Sequence, residues 1–170
     1  MGLFSRFIEI AVADEGENLR ISGKLLDKRL DEDLHGIEAE MLVSVVEGEI
    51  LDIKATMSAF PLEECTEGLK PLEELQGSQV KPGFTEMVKS TVGSNRGCTH
   101  LASLVMNMAN VSVQGRGAFV RRHFPDEAER MFAMERTTVE LGLIDSCVCW
   151  KEDGPIIRRW RQAKEEIEEE

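Results

Sequence analysis

An α+β fold, with an N-terminal antiparallel sheet of about four strands and helices packed on one face, is what this chain leads one to expect. Two observations carry that expectation. Alternating apolar runs separated by turn residues occupy positions 1–58, and beyond Pro61 the apolar spacing lengthens to three or four residues. Strands followed by helices give a segregated two-layer architecture.

The elements follow in order. Phe7, Ile8, Ile10 and Val12 mark a strand over 3–13, closed by the turn Asp14-Glu15-Gly16-Glu17-Asn18. Leu19, Ile21, Leu25 and Leu26 mark a second, with Gly23 as a bulge, and 27–36 reads as a polar loop. A hairpin pairs 38–47 with 49–58, Gly48 supplying the positive φ. Leu62, Cys65, Leu69, Leu72 and Leu75 predict a helix that Gly68 and Pro71 interrupt. Pro82-Gly83-Phe84 opens a second helix. A third starts near Thr99, with Leu101, Leu104, Val105, Met108 and Val111 on one face. Pro125-Asp126-Glu127 starts a fourth, and 143–150 returns to the sheet as a short strand. The reading is one α+β domain, 1–154, and a charged C-terminal helix or tail, 155–170, basic at Arg158, Arg159 and Arg161 and acidic from Glu165 to Glu170. Met106, Met108, Met131 and Met134 are expected to fill gaps between helices and sheet.

The chain has 170 residues, 42% apolar and 31% charged, with 20 Lys+Arg against 32 Asp+Glu and a net charge of -12. Such a balance argues against nucleic acid and against an anionic membrane surface, because both need phosphate neutralisation. There is no Tyr for a base-stacking platform. No apolar run approaches the ~20 residues of a membrane span, and no secretory signal or myristoylation pattern is visible. A cytoplasmic location is expected, where four cysteines are thiols or ligands rather than disulfides.

The chemistry concentrates at Gly97-Cys98-Thr99-His100-Leu101. Gly97 lets the chain turn sharply, which sets Cys98 at a helix N-terminus, where free N–H groups favour a thiolate. His100, two residues on, converges with Cys98 only in a non-helical turn. Cys65, near another helix start, and His35, in the acidic loop, are the other candidates. Together Cys65, Cys98, His100 and His35 form the expected metal-ligand set, with Cys147 in reserve. Zinc is the expected metal, because mixed sulfur and nitrogen ligation suits it; iron or an iron–sulfur cluster is the variant. Two other readings stay open. One is a thiol-dependent enzyme with Cys98 as nucleophile and His100 or His35 as base. The other is a non-catalytic accessory subunit whose cysteines are core, bound to a protein partner or to further copies of itself. Cys147 and Cys149 are expected to pack in the core, and Arg116, Arg121 and Arg122 to form a small solvated basic patch. No P-loop, G-x-G-x-x-G, G-x-S-x-G or H-E-x-x-H motif is present.

The run Gly97–Leu101 resembles a signature of an uncharacterised bacterial family, domain-of-unknown-function family 2889. Asp33-Leu34-His35-Gly36-Ile37, Pro61 with Cys65, Leu75-Gln76-Gly77, Pro82-Gly83-Phe84 and Asp145-Ser146-Cys147 are similar to further pieces of it, in consistent order over most of 20–150. The resemblance implies a single fold and names no reaction. A remoter likeness is to iron–sulfur cluster scaffold proteins, where Cys65, Cys98 and His100 would hold similar places. Those scaffolds carry a cysteine on an early loop, where this chain has Asp33 and His35.

Overall fold

The computed structural model describes residues 2–168. Four strands come first: β1 (Phe4–Glu15), β2 (Asn18–Arg29), β3 (Glu32–Ser44) and β4 (Ile50–Ala59). They form one antiparallel sheet in the order β1-β2-β3-β4. A 3-10 segment, Glu63–Leu75, precedes α1 (Phe84–Thr91) and α2 (Thr99–His123); α3 (Glu127–Glu140), a short 3-10 turn (Val148–Trp150) and α4 (Pro155–Glu168) follow. The α+β expectation holds. The chain forms two compact units, Met1–Gly115 and Arg116–Glu170.

In the first unit, every second residue of the inner strands is inward. Leu19, Ile21 and Leu25 of β2 and Ile37, Ala39, Met41 and Val43 of β3 are buried, as period-2 alternation requires. The opposite face is polar and carries the cross-strand pairs Lys24–Glu38 at 2.7 Å and Lys54–Glu40 at 2.7 Å. Of the predicted stripe of α2, Leu101, Leu104, Val105 and Met108 are fully buried, and Val111 is half-buried. α2 lies against the inward face at Gly23, where a Cβ would stand 2.7 Å from Met108 Sδ and 3.1 Å from Leu104 Cδ1. Gly23 is therefore not the expected bulge. It pairs in regular register with Ile10 and Ala39, and its missing side chain lets the helix approach. Met108 fills that contact as expected.

Residues 27–36 are not a loop. β2 and β3 run to a two-residue turn in which Leu30 and Asp31 both have positive φ, 50° and 71°. That is the backbone of a tight hairpin turn built without its usual Asn-Gly or Asp-Gly signal, so composition masked it. The ladder shifts by one residue between Asp27 and Lys28, where Asp27 pairs with His35 but Lys28 with Asp33. The 38–47/49–58 hairpin is present, with Gly48 at φ 70°.

After Pro61 the helix is 3-10 rather than α. Cys65, Leu69, Leu72 and Leu75 recur mostly at three, the 3-10 repeat, and Pro71 has no N–H to give an α-helical ladder. α1 and α2 start as expected, and Asp126 caps α3 by accepting from Glu129 N at 3.0 Å. Three expectations in the second unit fail. Residues 143–150 form no strand: Asp145, at φ 62°, donates its N–H to Trp150 O and closes a local loop. Cys147 and Cys149 are exposed on that loop, not core. Arg116 is fully buried and so is no part of a solvated patch. Glu169 and Glu170, the end of the acidic run, lie outside the described residues. Among the described residues, no helix is long and apolar enough to cross a membrane.

Candidate functional site

Strand register builds one row of polar side chains on the largely apolar inward face. Arg6 of β1 pairs with Asp27 of β2, and Asp27 pairs with His35 of β3. The three therefore stand side by side across adjacent strands. The Asp27 carboxylate is fully buried. It accepts from Arg6 Nε at 2.7 Å and from Arg6 Nη2 at 2.8 Å, a bidentate fork. Its Oδ2 also lies 3.1 Å from His35 Nδ1.

α2 supplies the roof. Cys98 is its N-cap, because Cys98 O accepts the first helical bond from Ala102 N at 2.9 Å. The turn before it is tight: a Cβ on Gly97 would stand 2.1 Å from Val92 O. No larger residue fits without moving the backbone that aims this helix. His100, in the first turn, places Nε2 at 3.8 Å from Asp27 Oδ2. Its ring stacks on His35 with centroids 3.8 Å apart and planes 26° apart. Its other nitrogen, Nδ1, lies 3.7 Å from Cys98 Sγ. The expected convergence of Cys98 and His100 is realised.

The electrostatics follow from burial and neighbours. The Arg6 guanidinium holds the Asp27 carboxyl below the ordinary carboxylate range, and Asp27 in return raises Arg6. Burial, and then His35 beside it, lower His100 below the ordinary imidazole value. Two stacked imidazoles cannot both be charged without repulsion, so a neutral, electron-donating His100 suits this position.

Of the four residues expected from sequence, the structure joins His35 and His100. Cys98 touches the roof histidine on its far nitrogen. Cys65 sits half-buried on the 3-10 segment, one 3-10 turn before Gly68, whose Cβ position is 3.0 Å from Cys98 Cβ. The group that could hold an ion among the described residues is Asp27, His35 and His100, with donor atoms all within 4.8 Å of one another. Asp27 and Arg6 escaped sequence reading. The signal was parity: Leu19, Ile21, Gly23, Leu25 and Asp27 share one face, so a continued strand makes Asp27 an inward carboxylate needing a partner.

Residues 4–114 match the model of a family described as "Protein of unknown function (DUF2889)". The chain belongs to this family. The DUF2889 span runs from β1 into α2 and so takes in Arg6, Asp27, His35, Cys98 and His100; Asp145-Ser146-Cys147 falls beyond it. No curated protein and no solved structure matches the chain.

Proposed function

We propose that this DUF2889 protein binds a divalent transition metal, zinc in the first place, at Asp27, His35 and His100. Spacing is the observation that carries the reading. Metal–ligand bonds of about 2.1 Å at tetrahedral angles place neighbouring donors about 3.4 Å apart. The Asp27 Oδ2 to His35 Nδ1 and Asp27 Oδ2 to His100 Nε2 separations, 3.1 and 3.8 Å, straddle that value. Two imidazoles and a carboxylate form a recognised set for zinc and for non-haem iron, and leave an open position for water or substrate. Arg6 would orient the carboxylate from outside the ligand set, as second partners of ligating carboxylates do. Cys98 and Cys65 are not needed as ligands in this arrangement. The test is zinc titration of chelator-stripped protein by calorimetry. Wild type should take about one ion per chain, and His35→Ala, His100→Ala and Asp27→Asn should each weaken it by about 100-fold or more, beyond the second-partner range. Cys65→Ser and Cys98→Ser should bind as wild type. Absence of binding in wild type, or loss only in the cysteine variants, would overturn the assignment.

One observation favours a second reading. Cys98 Sγ, His100 and Asp27 Oδ2 lie in sequence through the two imidazole nitrogens, at 3.7 and 3.8 Å. With Nε2–H turned to Asp27, a neutral His100 presents a lone pair to the thiol, the arrangement of an activated nucleophile. Metal-free protein whose Cys98 is alkylated at neutral pH, and much more slowly in His100→Ala, would put this reading first.

A further inference from the structure

α2 crosses the inward face of the sheet on a diagonal. Its start sets His100 over Asp27 of β2. Its middle packs Met108 on Gly23, and at Gly115 a Cβ would stand 2.7 Å from Val12 Cγ1 of β1. The regular pairing of β1 puts Phe4, Arg6, Ile8, Ile10 and Val12 on one face, the face that Val12 turns to the helix. The diagonal leaves the N-terminal part of that face open, where Phe4 and Ile8 are 53% and 36% exposed. Arg6 stands between these two apolar side chains. The candidate site is entered from the same side. The Asp27 and His35 side chains are 0% and 14% exposed, whereas those of His100 and Arg6 are 29% and 35% exposed.

Charge at this entrance becomes one-sided once an ion is bound. The Arg6–Asp27 fork already balances one guanidinium with one carboxylate. A divalent ion on Asp27, His35 and His100 meets no second carboxylate in that donor group, so its own two charges stay uncompensated. The next pair toward the turn, Arg29 with Glu32, is balanced. Asp27 Oδ2 accepts from Arg6 Nη2 at 2.8 Å and is also the oxygen that faces both imidazoles, so guanidinium and ion would be neighbours through one oxygen. The fork uses two of the five guanidinium N–H groups, and the rest are donors left for a ligand. We infer that the site, on the metal reading above, takes a small apolar monocarboxylate. Its carboxylate occupies the open position of the ion and the remaining Arg6 N–H groups, and its hydrocarbon tail lies across the Arg6 stem between Phe4 and Ile8. The strip from Asp27 across β1 is about 5 Å wide, which suits a short acyl tail and not a folded partner. Apolar walls also disfavour phosphate, whose water is costlier to remove.

Calorimetry of the full chain tests this, with zinc uptake measured first. Zinc-saturated protein should bind hexanoate at least about tenfold more tightly than acetate, because the longer tail buries methylenes that acetate lacks. It should also bind hexanoate at least about tenfold more tightly than the metal-free protein does, since the ion supplies the charge that the carboxylate meets. Hexanol, a tail without the charge, and inorganic phosphate, a charge without the tail, should bind no more tightly than acetate. Phe4→Ser, at an exposed position and with its fold verified by a thermal melt, should bring hexanoate to within a few-fold of acetate and leave acetate as it was. Protein that takes up no zinc overturns the metal reading and this inference with it. Protein that takes up zinc but binds hexanoate no better than acetate, phosphate or hexanol, or no better than without the metal, overturns the ligand assignment alone, as does a chain-length preference that survives Phe4→Ser.

Discussion

Asp27 is the residue on which the candidate site turns. A fully buried carboxylate keeps its charge only because Arg6 forks onto it, and His35 adds a third hydrogen bond. Replacing it by Asn keeps the shape and removes the charge. Asp27→Asn should cost about 1–3 kcal/mol in chemical denaturation, less than a fully buried broken pair, because the Arg6 side chain is 35% exposed and can rehydrate. Acid should act in two stages. Both His100 and Asp27 have folded values below their ordinary ones, so the unfolded chain binds more protons as pH falls and stability declines. The His100 contribution is complete above about pH 6.5 and is lost as pH falls through its lowered folded value; that of Asp27 begins to be lost only below about pH 3.9. Denaturation midpoints measured against pH should therefore drop first in the imidazole range, and His100→Gln should flatten that first stage while leaving the second. An unchanged first stage in His100→Gln would show that other groups produce it.

At the scale of elements, the site depends on how α2 is aimed. Its start is fixed by Gly97, whose Cβ would overlap Val92 O, and its axis by Gly23, which admits Met108. The two glycines should respond differently to Ala. At Gly23 the obstacle is a flexible thioether, so Gly23→Ala should cost about 1–3 kcal/mol by overpacking and leave zinc binding close to wild type. At Gly97 the obstacle is backbone, so the first turn of α2 must move. Gly97→Ala should therefore weaken zinc affinity at least about tenfold, since a ligand is displaced. Zinc titrations of the two variants check the contrast; equal affinities would show that the α2 start does not set the position of His100.

For the whole molecule, the DUF2889 span, residues 4–114, nearly coincides with the first compact unit, Met1–Gly115. Every residue of the candidate site lies inside it. A fragment of residues 1–123, which keeps α2 entire, should thus bind zinc within a few-fold of the full chain, as calorimetry would show. The net charge of -12 acts over a Debye length of about 8 Å at physiological salt. Random duplex DNA should not be retained in a filter or gel-shift assay under those conditions, and salt-sensitive, sub-micromolar binding would contradict the charge argument.

The α+β class, four strands before the helices, the 48-centred hairpin and the start of α2 at Thr99 were all legible in sequence. Each is local: alternation, a turn glycine and a capped periodic stripe are decided by neighbours in the chain. Cys98 at the helix start and its approach to His100 were legible for the same reason. Other features needed distant parts of the chain. The Leu30-Asp31 turn adopts positive φ without glycine because the strands on either side hold it there, and it alone turns a polar loop into two strand ends. The register shift beside Asp27 then sets His35 opposite that carboxylate, and α2 brings His100 over both. Asp27 itself looked like one more acid in an acidic chain. Its inward direction comes from strand parity, its charge from Arg6, 21 positions away. Sequence by itself determined which segments become strands and helices, because propensity and periodicity act within a few residues. Only the tertiary structure decided which side chains share a site, because register and helix approach are set by packing between segments far apart in the chain.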